Sequence, residues 1–500
     1  MVFSSPIFLA CFLPVLLGIY ALAPSRARNA VLLAGSLFFY AWGEPKAVLL
    51  MLALIGVNHA AGLAIARRLP PDGARPPRGA RLALALGVAA DLAALGTFKY
   101  ASFLAQNLQA LGLAVPDPGI ALPIGVSFYV FQCVSYLADV YRRAIPAERS
   151  LPDFALYVSL FPQLVAGPIV RYASIRGEMR DRTLRADDAA EGLRRFGRGL
   201  AKKVLVADTL AKVADAAFPA DLAALPQAFA WAGAFCYALQ IFYDFSGYSD
   251  MAIGLGRVFG FRFPENFDHP YGSTSVREFW RRWHMTLSGW FRDYLYIPLG
   301  GSRRGAARTY LNLVLVFALC GLWHGASWCF VLWGLWHGLG LVGERLLARR
   351  APSRQPLRLA LHARGLGAVQ GGDGGLRSGL RRALPQDPSP RQPGPSARVL
   401  LAGDGELHAL RPPHGAGGPA PLLPRPGRAP DAPRPHLARL RGLLRALPRG
   451  LRLRDDLELL PLHLLPVLGR PGRSGAAWAA RMSSGVNSAG QEVCQTCVTS

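Results

Sequence analysis

The stretch from residue 241 to residue 300, IFYDFSGYSDMAIGLGRVFGFRFPENFDHPYGSTSVREFWRRWHMTLSGWFRDYLYIPLG, is the most informative part of the chain. It begins with an apolar segment that contains two carboxylates, Asp244 and Asp250. A carboxylate at membrane depth costs free energy, so it tends to be functional or paired with a cation. The segment 277–298 is dense in arginine and aromatic residues, which is typical of the interface between a bilayer and water. The stretch therefore predicts a protein that is embedded in a membrane.

Apolar runs on both sides of this stretch approach the length that a helix needs to cross a bilayer, about 20 residues. The first run, 6–23, has no basic segment before it and many apolar runs after it, which predicts a retained span rather than a cleaved signal peptide. The further candidate spans are 29–43, 47–66, 81–97, 119–140, 151–170, 199–217, 228–256, 309–330 and 331–348. Because several are short or contain Gly and Pro, some are expected to be re-entrant and covered by protein. We predict an all-α, polytopic integral membrane protein with about nine to eleven transmembrane or re-entrant helices.

Short basic loops explain the net charge of +25 better than nucleic-acid binding does, and we predict no nucleic-acid partner. Arginines follow the first span, surround the loop at 67–81 after the third span, and follow the fifth span at 142–143. The intervening loops, near residue 44 and at 100–118, are poor in positive charge. Because positive loops face the cytoplasm, we expect the N-terminus outside it and the basic loops inside it.

The polar stretch 184–203 has apolar residues at helical spacing with basic residues between them. This pattern suits an amphipathic helix lying on an anionic membrane surface. It suits an ordinary solvated cytoplasmic helix equally well, and the sequence leaves both interpretations open.

Histidines supply the candidate chemistry. His324 and His337 lie in apolar runs, and His284 lies in the segment rich in arginine and tryptophan, although a lone histidine in an apolar run is most often structural. No GxSxG, HExxH, Walker or GxGxxG signature occurs in a suitable context, which argues against a hydrolase elbow, a zinc protease and a nucleotide-binding fold. The seven cysteines form no disulfide framework. Cys494 and Cys497 form an isolated CxxC, a weak indication of metal, and we predict no metal site.

Four strings of the sequence closely resemble the membrane-bound O-acyltransferase family. They are FPQLVAGPIVRY at 161–172, DFSGYSDMAIGLGRVFGFRFPENFDHPY at 244–271, EFWRRWHMTLSGWFRDYLYIPLGG at 278–301 and LWHGASWCFVLWGLWHG at 322–338. The resemblance covers most of residues 1–348 and is closest to the subgroup that acetylates alginate and other cell-surface polymers. It implies that His324 is the family's membrane histidine and that His284 is its second histidine. It implies no catalytic role for His337 or His269.

The resemblance also implies a reaction. Acetyl groups, with acetyl-CoA as the donor, would pass from the cytoplasm to hydroxyls of an exported bacterial polysaccharide such as alginate. The chain would lie in the bacterial inner membrane and would acetylate the polymer either directly or through separate periplasmic acetyltransferases. A sugar hydroxyl is a poor nucleophile until a base takes its proton, and a neutral imidazole near pH 7 suits that task. We therefore expect His324 to be the general base and His284 to orient the acyl donor or to help hold a developing oxyanion.

Two other functions stay open at the level of sequence. A transporter or channel component of a polysaccharide export complex would also show intramembrane Asp and His residues and broken helices. A scaffold for a polysaccharide synthase is the third possibility. Residues that bind the donor, and the identity of the polymer, are not specified by the sequence.

The segment 351–500 differs from the rest of the chain, since it contains no Phe, Tyr, Ile or Lys. Such a composition can hardly form a core, and one interpretation is a disordered tail rich in Arg, Pro and Gly. We favour an out-of-frame translation. Permitted codons for 364–373 and for 457–469, read one base later, encode apolar segments rich in aromatic residues, and the second ends in a stop. We predict a membrane domain over 1–350 and a shifted reading of the last spans over 351–500, with the shift near residues 345–363.

Overall fold

Helices account for all regular secondary structure in the part of the chain that the structure, a computed structural model, describes: residues 1–71, 73–217 and 226–350. The α-helices are α1 (Leu13–Leu22), α2 (Arg28–Gly43), α3 (Ala47–Arg68), α4 (Arg78–Leu95), α5 (Ala101–Ala110), α6 (Val126–Tyr141), α7 (Leu151–Ser159), α8 (Phe161–Leu164), α9 (Tyr172–Arg180), α10 (Ala186–Ala201), α11 (Asp208–Ala217), α12 (Gln227–Val258), α13 (Val276–Arg282), α14 (Met285–Phe291), α15 (Ala306–His324) and α16 (Trp328–Arg350). Shorter π-helical turns lie at Phe8–Phe12, Gly96–Tyr100, Lys202–Ala207 and Arg292–Tyr296, and 3-10 turns lie at Ser25–Ala27 and Pro270–Gly272. The all-α prediction is confirmed. Both interpretations of the tail fall on 351–500, which lies outside the described residues.

Three helical segments are long and apolar enough to cross a membrane. They are Ala47–Arg68, Arg78–Ala110 and Ala306–His324, and a shorter apolar helix covers Phe8–Leu22. Each of the three overlaps a span predicted from the sequence. The second is longer than predicted because the π-helical turn Gly96–Tyr100 joins α4 to α5 without a break.

The predicted spans at 119–140 and 151–170 form part of the buried centre. Helix α6 carries buried side chains on nearly all of its faces. Every residue from 154 to 170 is buried, although this segment consists of α7, α8 and a non-helical stretch. Backbone that leaves the helical path at membrane depth needs protein around it to satisfy its polar groups. The segment 151–170 therefore fits the expectation that some broken apolar runs are covered by protein.

The helix predicted at 184–203 is present as α10, and its small residues pack against α12. Gly192 lies against the backbone of Gly254, and Gly199 lies against the backbone of Gly247. A Cβ atom at any of these four positions would overlap the opposite helix. Small residues let two helix backbones approach closely in membrane proteins. This face of α10 is covered by protein, and both interpretations of its outer face stay open.

Both carboxylates in the apolar segment of α12 are paired with cations. Asp250 lies 2.9 Å from Arg195 and 2.9 Å from Lys202. Asp244 lies 3.0 Å from Lys203. The three cations belong to α10 and to the π-helical turn that follows it. These carboxylates were expected to be either functional or paired with a cation, and the structure shows pairing. The ion pairs hold α10 against α12.

The last two helices form a tight hairpin with His324 at its turn. Gly325 ends α15 in an extended conformation. Gly321 of α15 lies against the backbone of Phe330, and Gly334 of α16 lies against the backbone of Phe317, so a side chain at either glycine would overlap the opposite helix. A small apolar cluster joins this hairpin to α13; its buried members are Val276, Phe279, Trp280, Trp283 and Leu341. The cluster brings the segment that carries His284 beside the hairpin.

Candidate functional site

His284 lies in the break between the short helices α13 and α14. Its backbone is left-handed, with φ 42° and ψ 57°, a conformation that is uncommon outside glycine and is often found at functional sites. Backbone hydrogen bonds hold the break on both sides. The Asp268 N–H donates to the Arg282 carbonyl, and the Met285 N–H donates to the Asn266 carbonyl, each at 2.9 Å. The segment around Asn266 therefore sets the position of the histidine, whose residue surface is 1% exposed.

The two ring nitrogens of His284 have different surroundings. Nδ1 lies 2.9 Å from Oδ1 of Asn266. Nε2 is buried and has no hydrogen-bond partner among the described residues. Leaving a buried polar atom unpaired costs about 1–3 kcal/mol, so this nitrogen marks a place where a ligand atom can bind. Burial and, to a smaller extent, the nearby His324 lower the pKa of His284 well below its ordinary value, so the imidazole is neutral near pH 7.

His324, the last residue of α15, lies close enough to His284 for the charges of the two rings to interact. Its ring is half-buried between two tryptophans, with centroid distances of 4.9 Å to Trp323 and 5.1 Å to Trp333. The structure thus brings together the two histidines that the separate motifs identified. The hairpin α15–α16 and the break between α13 and α14 are the two elements that position them.

Lys99 belongs to the same site and was not identified from the sequence. It lies on the π-helical turn Gly96–Tyr100 and is only 7% exposed. Its ammonium donates to the carbonyl of Trp323 and, at 3.2 Å, to the hydroxyl of Ser127. Within the described ranges no carboxylate lies within 4.0 Å of it. Lys99 lies close enough to His324 for the two side chains to interact electrostatically.

Lys99 and its neighbour Tyr100 together hold the C-terminal end of α15. The Tyr100 hydroxyl donates to the Leu322 carbonyl at 3.0 Å, next to the Trp323 carbonyl that Lys99 binds. The last carbonyls of a helix have no partner within the helix, and a cation is favourable at that end. These contacts therefore set the position of His324. A lysine in an apolar run and a π-helical turn are both signals of a functional site, and the first could have been found in the sequence.

The other two histidines of the motifs have different surroundings. His337 is buried among tryptophans, with ring centroids at 5.1 Å from Trp280 and 4.6 Å from Trp333. His269 is exposed, and its Nδ1 lies 3.2 Å from Asp268. His337 therefore packs among aromatic rings, and His269 lies outside the candidate site.

A cavity of about 370 Å³ opens beside this site. Its polar lining includes the four arginines Arg277, Arg281, Arg292 and Arg345. Its apolar wall reaches Cys320, one helical turn before His324. Arg292 pairs with Asp293, whereas the guanidinium groups of the other three arginines have no carboxylate oxygen within 4.0 Å in the described part of the chain. Unpaired guanidinium groups around an apolar wall suit a ligand that carries both phosphates and an apolar or neutral chain.

The site combines a neutral imidazole, a second imidazole and the buried amino group of a lysine. Imidazole can take a proton from a hydroxyl, and cations and N–H donors can stabilise a developing negative charge. Within residues 1–71, 73–217 and 226–350, no group of three or more His, Cys, Asp or Glu side chains could hold a metal ion. The groups present are those that acyl transfer between oxygen or sulfur atoms requires.

Comparisons with known proteins agree with this chemistry. Residues 125–358 match MBOAT, the membrane-bound O-acyltransferase family. The chain is 49% identical over 365 residues to a protein of Azotobacter vinelandii named probable alginate O-acetylase AlgI, covering 72% of each chain. It is 37% identical over 364 residues to a peptidoglycan O-acetyltransferase of Helicobacter pylori, covering 66% of this chain and 68% of the relative. A teichoic acid D-alanyltransferase of Streptococcus thermophilus is 28% identical over 235 residues, 44% of this chain and 56% of the relative.

Proposed function

Because the chain belongs to the membrane-bound O-acyltransferase family, we propose that it transfers acetyl groups from acetyl-CoA in the cytoplasm to hydroxyls of an exported bacterial polysaccharide such as alginate. The observation that carries this proposal is the convergence of His284 and His324 on one buried site with an unpaired ring nitrogen. Relatives named as an alginate O-acetylase and a peptidoglycan O-acetyltransferase support an acetyl group and a polymer acceptor. The membrane in question is the inner membrane, where the N-terminus faces away from the cytoplasm.

The proposed reaction is an acyl transfer from sulfur to oxygen. The acceptor oxygen forms a bond to the acetyl carbonyl carbon, and the bond from that carbon to the sulfur of CoA breaks. The proton of the hydroxyl passes to His324 and then to the departing thiolate, so the imidazole returns to its neutral form. General-base catalysis of this kind contributes about 10²–10⁴ in rate.

His284 and Lys99 act on the two other needs of this reaction. The acyl donor must be oriented, and the carbonyl oxygen becomes negatively charged in the tetrahedral intermediate. The open Nε2 of His284 supports an orienting contact with the donor or the acceptor. The amino group of Lys99 donates to the Trp323 carbonyl and so positions the end of α15 that carries His324.

The arginine-lined cavity is the proposed entrance for the donor. Guanidinium groups bind phosphate through paired N–H donors, and those of Arg277, Arg281 and Arg345 have no carboxylate oxygen within 4.0 Å in the described ranges. The cavity wall that reaches Cys320 leads the thioester end toward His324. On the other side of the membrane, the acetyl group reaches the polymer either directly or through separate periplasmic acetyltransferase proteins.

The test of this function is His324→Ala in the frame-restored protein, expressed in cells that make the polymer. We expect ester-linked acetate per sugar on purified polymer to fall about 10²–10⁴-fold, with the membrane level of the protein unchanged by immunoblot. His284→Ala should lower acetate less completely, and His337→Ala less again. His269→Ala is the matched control, because that ring is exposed and outside the site, and it should leave acetate unchanged.

One observation favours the alternative, a non-catalytic transporter or channel component of an export complex. Asp91 of α4 is fully buried and binds Asn58 of α3 at 2.7 Å through one oxygen, while its other oxygen has no partner among the described residues. An acid inside a membrane helix is typical of an ion pathway. This alternative predicts normal acetate from His324→Ala and lost acetate from Asp91→Asn.

A further inference from the structure

Asn266 connects three of the sequence motifs through its side chain. Its Oδ1 lies 2.9 Å from Nδ1 of His284 and accepts from the Thr286 hydroxyl at 2.8 Å. Its Nδ2 donates to the Ser249 hydroxyl at 3.1 Å. The Thr286 hydroxyl in turn accepts from the Ile169 backbone N–H at 2.9 Å. Asn266 and Ser249 are almost completely buried, so few other arrangements of these bonds are open.

Backbone donors determine which way the protons point in this network. A backbone N–H can only donate, so the Thr286 oxygen accepts from the Ile169 N–H. The Thr286 hydroxyl proton then goes to Oδ1 of Asn266 at 2.8 Å, which is nearer than Nδ1 of His284 at 3.5 Å. The Thr286 backbone N–H also points to Oδ1 of Asn266, at 3.4 Å. These donors identify that end of the amide as its oxygen. Because an amide oxygen accepts only, Nδ1 of His284 must carry a hydrogen.

We propose that Asn266 is a positioning residue that holds His284 in the tautomer protonated at Nδ1, so that the bare Nε2 faces the reaction site as a hydrogen-bond acceptor. This inference rests on the proposed acyl transfer. It separates the two roles considered for His284. A neutral ring with a bare Nε2 accepts an O–H or N–H from a substrate, such as the acceptor hydroxyl or an amide of the donor. It does not donate to an oxyanion.

The charged and titratable groups around His284 do not fix its tautomer, so Asn266 does. The titratable group that acts on the ring from another helix is His324 of α15, and Lys99 lies behind it. No carboxylate in the described ranges lies within 4.0 Å of either ring nitrogen of His284. The tautomer is therefore set by a neutral amide. Exchanging that amide for a carboxylate should keep the tautomer, whereas exchanging it for an apolar group should give a mixture of tautomers.

The tautomer can be read directly in the full chain. Nitrogen-15 NMR of histidine-labelled protein in lipid nanodiscs distinguishes a protonated ring nitrogen from a bare one, and the spectrum of His284→Gln identifies the ring by subtraction. We expect a protonated Nδ1 and a bare Nε2 in the natural protein and in Asn266→Asp. In Asn266→Leu we expect a mixture of tautomers. A protonated Nε2 in the natural protein, or an unchanged ring in Asn266→Leu, would overturn the proposal.

Rates give the second readout, from membranes that contain the frame-restored protein or its variants and are supplied with radiolabelled acetyl-CoA and polymer across a range of pH. In Asn266→Asp the carboxylate stabilises the imidazolium and raises the pKa of His284. The imidazole ring then stays protonated to higher pH. The acid limb of the pH–rate profile therefore moves to higher pH, while the rate on the plateau at high pH is unchanged. In Asn266→Leu we expect the plateau to fall roughly 10-fold to 100-fold.

Asn312→Leu is the matched control, since Asn312 is another buried asparagine, whose amide donates to the Leu299 and Gly301 carbonyls. It should lower the amount of protein without moving the acid limb. The positioning role would be refuted by two results together: a pH–rate profile of Asn266→Asp that superimposes on that of the unsubstituted protein, and equal losses of plateau rate in Asn266→Leu and Asn312→Leu. Failure of the proposed function looks different, because then no protein, the natural one included, transfers label, while the NMR result still decides the tautomer.

Discussion

The contact between α10 and α12 and the site around His284 are both polar and largely buried, yet they treat their polar groups in opposite ways. In the first, Asp250 binds Arg195 and Lys202 directly, and each charge has a partner of opposite sign. In the second, Nε2 of His284 has no hydrogen-bond partner among the residues that the structure describes. Complete pairing fastens two helices, whereas an incomplete set of partners leaves a site able to bind a substrate.

Restoring the reading frame is the change with the largest expected effect. Both regions precede the tail, but we expect the enzyme to be active only when its last membrane spans are correctly translated. The similarity to the Azotobacter protein covers 72% of the chain, close to the 350 of 500 residues that precede the tail. We expect sequencing across codons 340–370 to show one missing or extra base, and the corrected gene to acetylate polymer where the present one does not. Buried helix faces would regain their partners in the corrected protein. An uninterrupted frame, with the tail detected by mass spectrometry in an active protein, would contradict this prediction.

Lys99→Met should have the next largest effect, roughly a 100-fold loss of acetyl transfer, because small displacements of a catalytic group are costly. The substitution removes the donor to the Trp323 carbonyl, which positions the end of α15 that carries His324. The measurement is acetate per sugar, normalised to membrane protein. Lys202→Met is the control from the paired region, where Arg195 still binds Asp250. Equal losses from both lysines would erase the distinction between the two regions.

The arginines of the cavity sharpen the same comparison at a smaller scale. Arg281→Ala and Arg345→Ala should each raise the KM for acetyl-CoA roughly 10-fold with kcat little changed, since a charge-assisted hydrogen bond contributes about 1.5–3 kcal/mol. Arg194→Ala is the control, because Arg194 is exposed and already paired with Glu191. The measurement is KM for acetyl-CoA and kcat, from steady-state kinetics in membranes. An unchanged KM in both cavity variants would place the donor elsewhere.

Asp250→Asn should have the smallest effect, and on stability rather than on chemistry. The carboxylate and the Arg195 guanidinium are each about a fifth exposed, so solvent weakens their attraction. We expect the free energy of unfolding to fall by about 1 kcal/mol, with the rate of acetyl transfer per folded molecule unchanged. Thermal unfolding of the protein in nanodiscs measures the first quantity. A lower rate per folded molecule would show that the paired region takes part in the reaction.

Local patterns were sufficient for part of the site. His324 and His284 could be identified because each lies in a contiguous string, LWHG and WRRWH, that resembles the family. The pairing of Asp244 and Asp250 was one of two expectations, and the sequence could not choose between them. Their partners lie on another helix, so the choice depended on how α10 packs against α12.

The sequence by itself determined that this chain is helical, is rich in apolar runs of membrane length and carries two particular histidines, because these properties follow from residues that are neighbours in the chain. Only the tertiary structure decided that Lys99 holds the end of α15, 224 positions away at Trp323, and that Asn266 faces the ring of His284. The physical reason is that a buried charge or amide is defined by the atoms around it. Those atoms come from segments that meet only when the helices pack together.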